Sequence, residues 1–183
     1  MNLQVREALE TDWQAIADLL LAAFGREEGR EITDLVAALL QDPSASPRLS
    51  LVAVEGAEVV GYILFTSSRI KDSPTVASSA ILAPLAVHPD YQGRGIGGRL
   101  VEEGLKRLQG AGGELVFVLG HPGYYPKFGF APAGERGFAA PYYIAPENAE
   151  AWMVRELRSG LIGKVGGQVQ CADALDAPRY WQE

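Results

Sequence analysis

Residues 82–100 read LAPLAVHPDYQGRGIGGRL, and this stretch decides the fold. Its first half continues an apolar, strand-like run from Ala80 to Val87, and His88, Pro89 and Asp90 make a turn. Glycine then stands at positions 93, 95, 97 and 98, and an amphipathic helix follows. Glycine lets the backbone approach a ligand closely. The first turn of a helix presents unpaired N–H groups at the positive end of its dipole. Strand, glycine turn and helix start together make an anion site, most often for phosphate. No Ser, Thr, Asp or Asn stands near residues 95–97 to cap the helix, so the first-turn donors are left for a ligand. A glycine-capped helix on a tight turn is the plainer alternative, and the neighbouring Arg94 and Arg99 weigh against it.

The segment Gln92-Gly93-Arg94-Gly95-Ile96-Gly97 resembles the Q/R-x-x-G-x-G/A pyrophosphate loop of the GNAT superfamily of N-acetyltransferases. Leu85-Ala86-Val87-His88-Pro89 resembles that family's L-x-V-x-P strand, and Tyr125 to Phe130 its Y-x-x-x-G-F segment. Three motifs in the right order over residues 81–130 are far more specific than any one alone. The resemblance implies an α+β, three-layer α/β/α fold. Its mixed, mostly antiparallel sheet is splayed between the fourth and fifth strands, with helices on both faces. It implies acetyl-CoA as co-substrate, a primary amine on a small molecule or peptide as acceptor, and no metal. The main chain of Gln92, Gly93, Arg94, Gly95, Ile96, Gly97 and Gly98 is then expected to hold the pyrophosphate. Leu85, Ala86 and Val87 are expected to hold the pantetheine arm, with an N–H of Ala86 or Val87 polarising the thioester. Tyr125 falls where the family commonly has a tyrosine that protonates the leaving sulfur, and Tyr124 is the neighbour easily confused with it.

Two departures from the family pattern stand out. Many relatives carry a glutamate on the strand before the L-x-V segment, whereas residues 78–83 read SSAILA. That leaves water, His88, His121, Glu55 or Asp72 to take the amine's proton, with none preferred. The segment 120–124, GHPGY, is also too short for the Asn-initiated helix common at that point. His121 is the residue available to replace the Asn contact. This compact form resembles a bacterial subgroup of predicted acetyltransferases.

The bulk properties agree with one soluble domain over residues 1–183. Its motif-bearing core is 76–131, followed by a loop and C-terminal strands. The apolar fraction is 48% and the charged fraction 21%, both ordinary for a globular protein. No apolar run approaches the ~18 residues of a membrane span, and the start, MNLQVREALETDW, lacks signal-peptide character. A cytoplasmic location is the expectation. One cysteine excludes an internal disulfide framework and a Cys-rich metal site. A net charge of −7 argues against a nucleic-acid surface, yet residues 91–110 carry a local +2, which suits a polyanionic cofactor.

Elsewhere, Leu3 and Val5 read as a first strand, and Thr11-x-x-Gln14 as a capping box before a helix carrying Trp13, Ile16, Leu19, Leu20 and Phe24. Residues 25–29 read as a charged break, and the 25–31 loop with Tyr142 and Tyr143 reads either as a rim for the acceptor or as ordinary loop and packing. Ile32, Leu35, Val36, Leu39 and Leu40 stripe a second helix. Residues 49–54 and 59–66 form a hairpin, 67–75 a loop and 76–87 a long strand. Pro84 cannot donate to a ladder and marks a bulge. A helix from Ile96 and a buried strand at 114–119 follow. Residues 131–149 read as a loop, 152–157 and 165–171 as strands, the latter a candidate edge for a homodimer. Cys171 reads as a small buried residue.

Gly93-x-Gly95-x-x-Gly98 also satisfies the dinucleotide fingerprint G-x-G-x-x-G. That motif follows its strand directly and needs an acid at the end of the second strand. Here residues 88–92 intervene, and Glu114 begins the next strand. A non-catalytic CoA-binding sensor is the stronger alternative, favoured by the missing strand carboxylate and disfavoured by Tyr125.

Overall fold

The computed structural model describes residues 2–71, 73 and 78–182. A central sheet begins with β1 (Leu3–Glu7), antiparallel to β2 (Leu49–Glu55), which forms a hairpin with β3 (Glu58–Ile70). β3 pairs antiparallel with β4 (Ser79–Val87), and β4 pairs parallel with β5 (Leu115–Leu119). β6 (Ala131–Pro132) lies outside β8 (Trp152–Glu156), which is antiparallel to β5. β9 (Gly167–Gln170) sits between the end of β3 and the short β7 (Phe138–Ala139). β3 pairs with residues 169–170 of β9, and β7 with residues 167–168.

Three helices cover the sheet: α1 (Trp13–Phe24) and α2 (Arg26–Gln41) on one face, α3 (Ile96–Gly110) on the other. Strand alternation sorts the core. Tyr62 and Leu64 of β3, with Phe117 and Trp152, pack against Ile16, Leu20, Val36 and Leu39. Ile63 and Phe65 pack with Val116 and Val118 against Ile96, Leu100, Val101 and Leu105. The result is the three-layer α+β architecture expected, with a mixed and mostly antiparallel sheet. Among the described residues, no helix is long and apolar enough to cross a membrane.

The sheet opens where Pro84 predicts. β4 and β5 pair only at residues 79–81 against 115–117. Beyond them β4 continues with β3 alone, through Gly61 opposite Val87. Between Ile63 opposite Leu85 and Phe65 opposite Leu82 the register slips, so Leu64 faces both Ala83 and Pro84. One extra residue on β4 bends that strand away from β5.

Several local expectations are corrected. The Thr11–Gln14 capping box does not form. Asp12 instead accepts the Leu9 N–H at 2.7 Å and a two-pronged hydrogen bond from Arg6 of β1, while Gln14 donates to Asp18. The break after α1 is Gly25 alone, at φ 85°, and residues 26–31 are helical, so no 25–31 loop exists to rim a pocket. Gly29 brings the two helices together: a Cβ there would lie 2.9 Å from the Leu20 carbonyl oxygen. β3 runs to Ile70, beyond the expected end at 66. The expected strand start at Val76 and Ala77 lies outside the described residues. The loop at 131–149 contains β6, β7 and two 3₁₀ turns, Gly134–Arg136 and Pro146–Ala151.

Candidate active site

The His88 N–H donates to the Val60 carbonyl at 2.9 Å, which orients the end of β4. Backbone groups alternate sides along a strand, so those of Ala86 turn to β3 and those of Leu85 and Val87 turn to the gap. The expected thioester-polarising N–H is thus available on Val87 and not on Ala86, whose side chain is buried on the α1–α2 face. The Val87 carbonyl accepts the Gln92 side-chain amide at 3.2 Å. A 3₁₀ turn, Pro89–Tyr91, carries the chain to Gly93 and Gly95, both at φ 79°. That left-handed conformation favours glycine, and a Cβ at either position would meet no protein atom within 4 Å. α3 starts at Ile96 with no side-chain cap, so its first-turn donors face open space.

A cleft of about 500 Å³ lies over this turn. Eight of the ten residues expected to hold the cofactor line it: Leu85, Val87, Gln92, Gly93, Gly95, Ile96, Gly97 and Gly98. Ala86 does not, and Arg94 stands outside with its guanidinium 4.9 Å from the centre of the Tyr91 ring. Three residues not singled out for cofactor contact also line the cleft: Tyr91, Tyr124 and Lys127. Lys127 is the one charged side chain among the described lining residues, and its Nζ lies 4.1 Å over the Tyr124 ring. The signal was the i, i+3 spacing of 124 and 127, which superposes side chains when a segment winds as a 3₁₀ turn.

The two adjacent tyrosines differ in place: Tyr124 lines the cleft and Tyr125 does not. A Cβ at Gly97 would lie 2.6 Å from the Tyr124 hydroxyl, so Tyr124 reaches the start of α3. Tyr125, at the head of the turn Tyr125–Phe128, packs its ring over Gly120, just past β5. The rings meet edge to face at 5.1 Å, and Phe130 meets Tyr125 likewise at 5.7 Å. Tyr125 is only 8% exposed. Burial first, and the neighbouring Tyr124 second, push its phenol well above the ordinary range, so it holds its proton.

A family model described as an acetyltransferase (GNAT) domain matches residues 4–133. An uncharacterized N-acetyltransferase of Escherichia coli, YjhQ, is 44% identical over 90% of this chain and 89% of its own length. This chain belongs to the GNAT family of acetyltransferases. A second GNAT protein of E. coli, YhbS, solved in complex with CoA, superposes with a TM-score of 0.83 at 29% identity. That match covers 96% of this chain and 92% of YhbS. A GNAT acetyltransferase from Brucella melitensis, solved with acetyl-CoA, gives 0.75 at 29% identity, covering 96% and 99% of the two chains.

Within this GNAT fold the two histidines considered for proton removal are otherwise engaged. The His88 Nδ1 accepts the Asp90 N–H at 3.1 Å, and the His121 Nδ1 accepts the Gly123 N–H at 3.0 Å; both brace turns. Glu55 sits at the hairpin end, in a groove with Asp18, Glu58 and His88. Asp72 lies outside the described residues. On β4, Ser79 is buried and bonded to Ser68 at 2.7 Å. Burial pushes the Cys171 thiol up to about 12, which suits a packing residue and not a nucleophile.

Proposed function

We propose that this chain transfers the acetyl group of acetyl-CoA to a primary amine by direct attack in a ternary complex. The observation that carries the reading is the pair of parted strands, with Leu85 and Val87 turning backbone groups into the gap beside an uncapped, glycine-lined helix start. Acyl transfer needs the thioester held, its developing oxyanion steadied and the departing thiolate protonated. The N–H groups of the 92–98 turn and Lys127 suit a diphosphate, and the gap-facing edge of β4 suits an amide-bearing arm. The Val87 N–H is aimed to steady the oxyanion. As the amine nitrogen bonds to the acetyl carbon and the carbon–sulfur bond breaks, Tyr125 gives its proton to sulfur. The amine's own proton leaves to water, and water returns a proton to the Tyr125 phenolate before the next turnover.

The test is Tyr125→Phe. Free-thiol release with an accepted amine should fall in kcat on the order of 100-fold, with CoA affinity by calorimetry unchanged. Equal turnover in the two proteins removes Tyr125 from the mechanism. Calorimetric CoA binding without thiol release from any amine returns the chain to the sensor reading.

A further inference from the structure

Another cleft, of about 530 Å³, lies on the α1–α2 face, across the sheet from the glycine turn. Its walls include Phe138, Pro141, Tyr142, Tyr143, Ile144 and Trp152, with the Gln168 amide as a polar contribution. Among the described residues that line it, none is charged. Its position relative to the gap follows from register. Trp152 stands opposite Leu119, the last residue of β5, in the part of that strand that no longer pairs with β4. The Trp152 indole stacks on Phe117 at 5.3 Å, which fixes it on the α1–α2 face, whereas Tyr125 and Met153 belong to the α3 face. The cleft therefore sits one strand away from where the sheet parts.

We propose that this cleft binds the body of the acceptor, and that the acceptor is a monoamine on an apolar, preferably aromatic, body. The inference rests on the acetyl-transfer reading above. Two features converge on the class. A second ammonium in these walls would be buried without a carboxylate, which is costly. Asp176, in the neighbouring groove, already accepts a hydrogen bond from the Tyr142 hydroxyl.

The experiment compares 2-phenylethylamine with 1,4-diaminobutane as acceptors in the thiol-release assay, using the full chain and its Tyr143→Ala variant. Tyr143 is 81% exposed, so the fold tolerates the change. The aromatic monoamine should be preferred by at least about tenfold in kcat/KM, and Tyr143→Ala should raise its KM about tenfold with kcat and CoA affinity unchanged. Preference for the diamine, or a KM indifferent to Tyr143, overturns the inference while leaving acetyl transfer standing. The CoA-bound protein is also titrated with 2-phenylethylamine and followed by backbone amide NMR. Shifts confined to residues 138–144 and 152 support the seat even without turnover, in which case the failure lies with acetyl transfer. No shift there overturns the seat.

Discussion

Gly97 and Gly95 are two positions apart in the same turn and fail differently when changed. A methyl group at 97 collides with the Tyr124 hydroxyl, whereas at 95 it points into open space but on a backbone at φ 79°. Gly97→Ala should therefore displace Tyr124 and weaken CoA binding about tenfold. Gly95→Val should weaken it at least as much by filling the space over the turn, at a conformational cost of roughly 1 kcal/mol. Calorimetric titration with CoA reads both, and unchanged affinity in either variant counts against the cradle. Tyr125 makes a prediction in pH. Its raised phenol stays protonated throughout the assay range, so kcat/KM should climb as the amine loses its proton and show no descending limb below about pH 10. A descending limb near pH 8 or 9 would assign the acid to another group. The glycines were legible in sequence because they act through the main chain, which their spacing reveals. Tyr124 and Lys127 were not, because a 3₁₀ turn and a close approach to Gly97 decide where they point.

At the scale of elements, Pro84, without an N–H, marked where pairing is interrupted, and the GNAT resemblance implied the parting of β4 from β5. The helix starts were harder. Thr11 lost the cap to Asp12 because Asp12 also pairs with Arg6 on β1, a contact invisible to local pattern. Residues 26–31 looked like a charged loop, yet Glu27 and Glu28 are favourable in a first helical turn, and Gly25 alone separates the helices. Asp42, just past α2, holds a more distant element. Its Oδ1 accepts from the Ser44 N–H and hydroxyl, and its Oδ2 accepts the Ala174 N–H at 2.9 Å. These bonds, the one from Ala174 foremost, hold its carboxyl below the usual range. Its contribution is present above the unfolded value near pH 4 and is lost as pH falls through the lowered one. Asp42→Ala should cost about 1–3 kcal/mol at pH 7. The difference should shrink toward pH 2, as measured by urea unfolding at both values. A gap independent of pH would mean that the carboxylate charge is not what binds the two segments.

Across the whole molecule, the segment beyond the family model's match is part of the same core. Val169, Ala172, Leu175 and Trp181 are buried on the α1–α2 face, β9 pairs with β3, and the Trp181 indole donates to the Leu175 carbonyl at 3.0 Å. Trp181 also meets Trp152 edge on at 5.7 Å. Trp181→Ala should cost about 3–5 kcal/mol, lowering Tm by roughly 6–20 °C. A single transition, seen alike by circular dichroism and fluorescence, would fit one cooperative unit; two transitions would divide the chain. At this end of the chain β8 and β9 were legible as strands at 152–157 and 165–171, whereas β6 and β7, two residues each, carry no periodicity and exist through their neighbours. The parted sheet has a last consequence for the catalytic cycle. If coenzyme and amine meet in the gap from opposite sides, neither bars the other's way in or out. The parted strands then impose no order of arrival or departure.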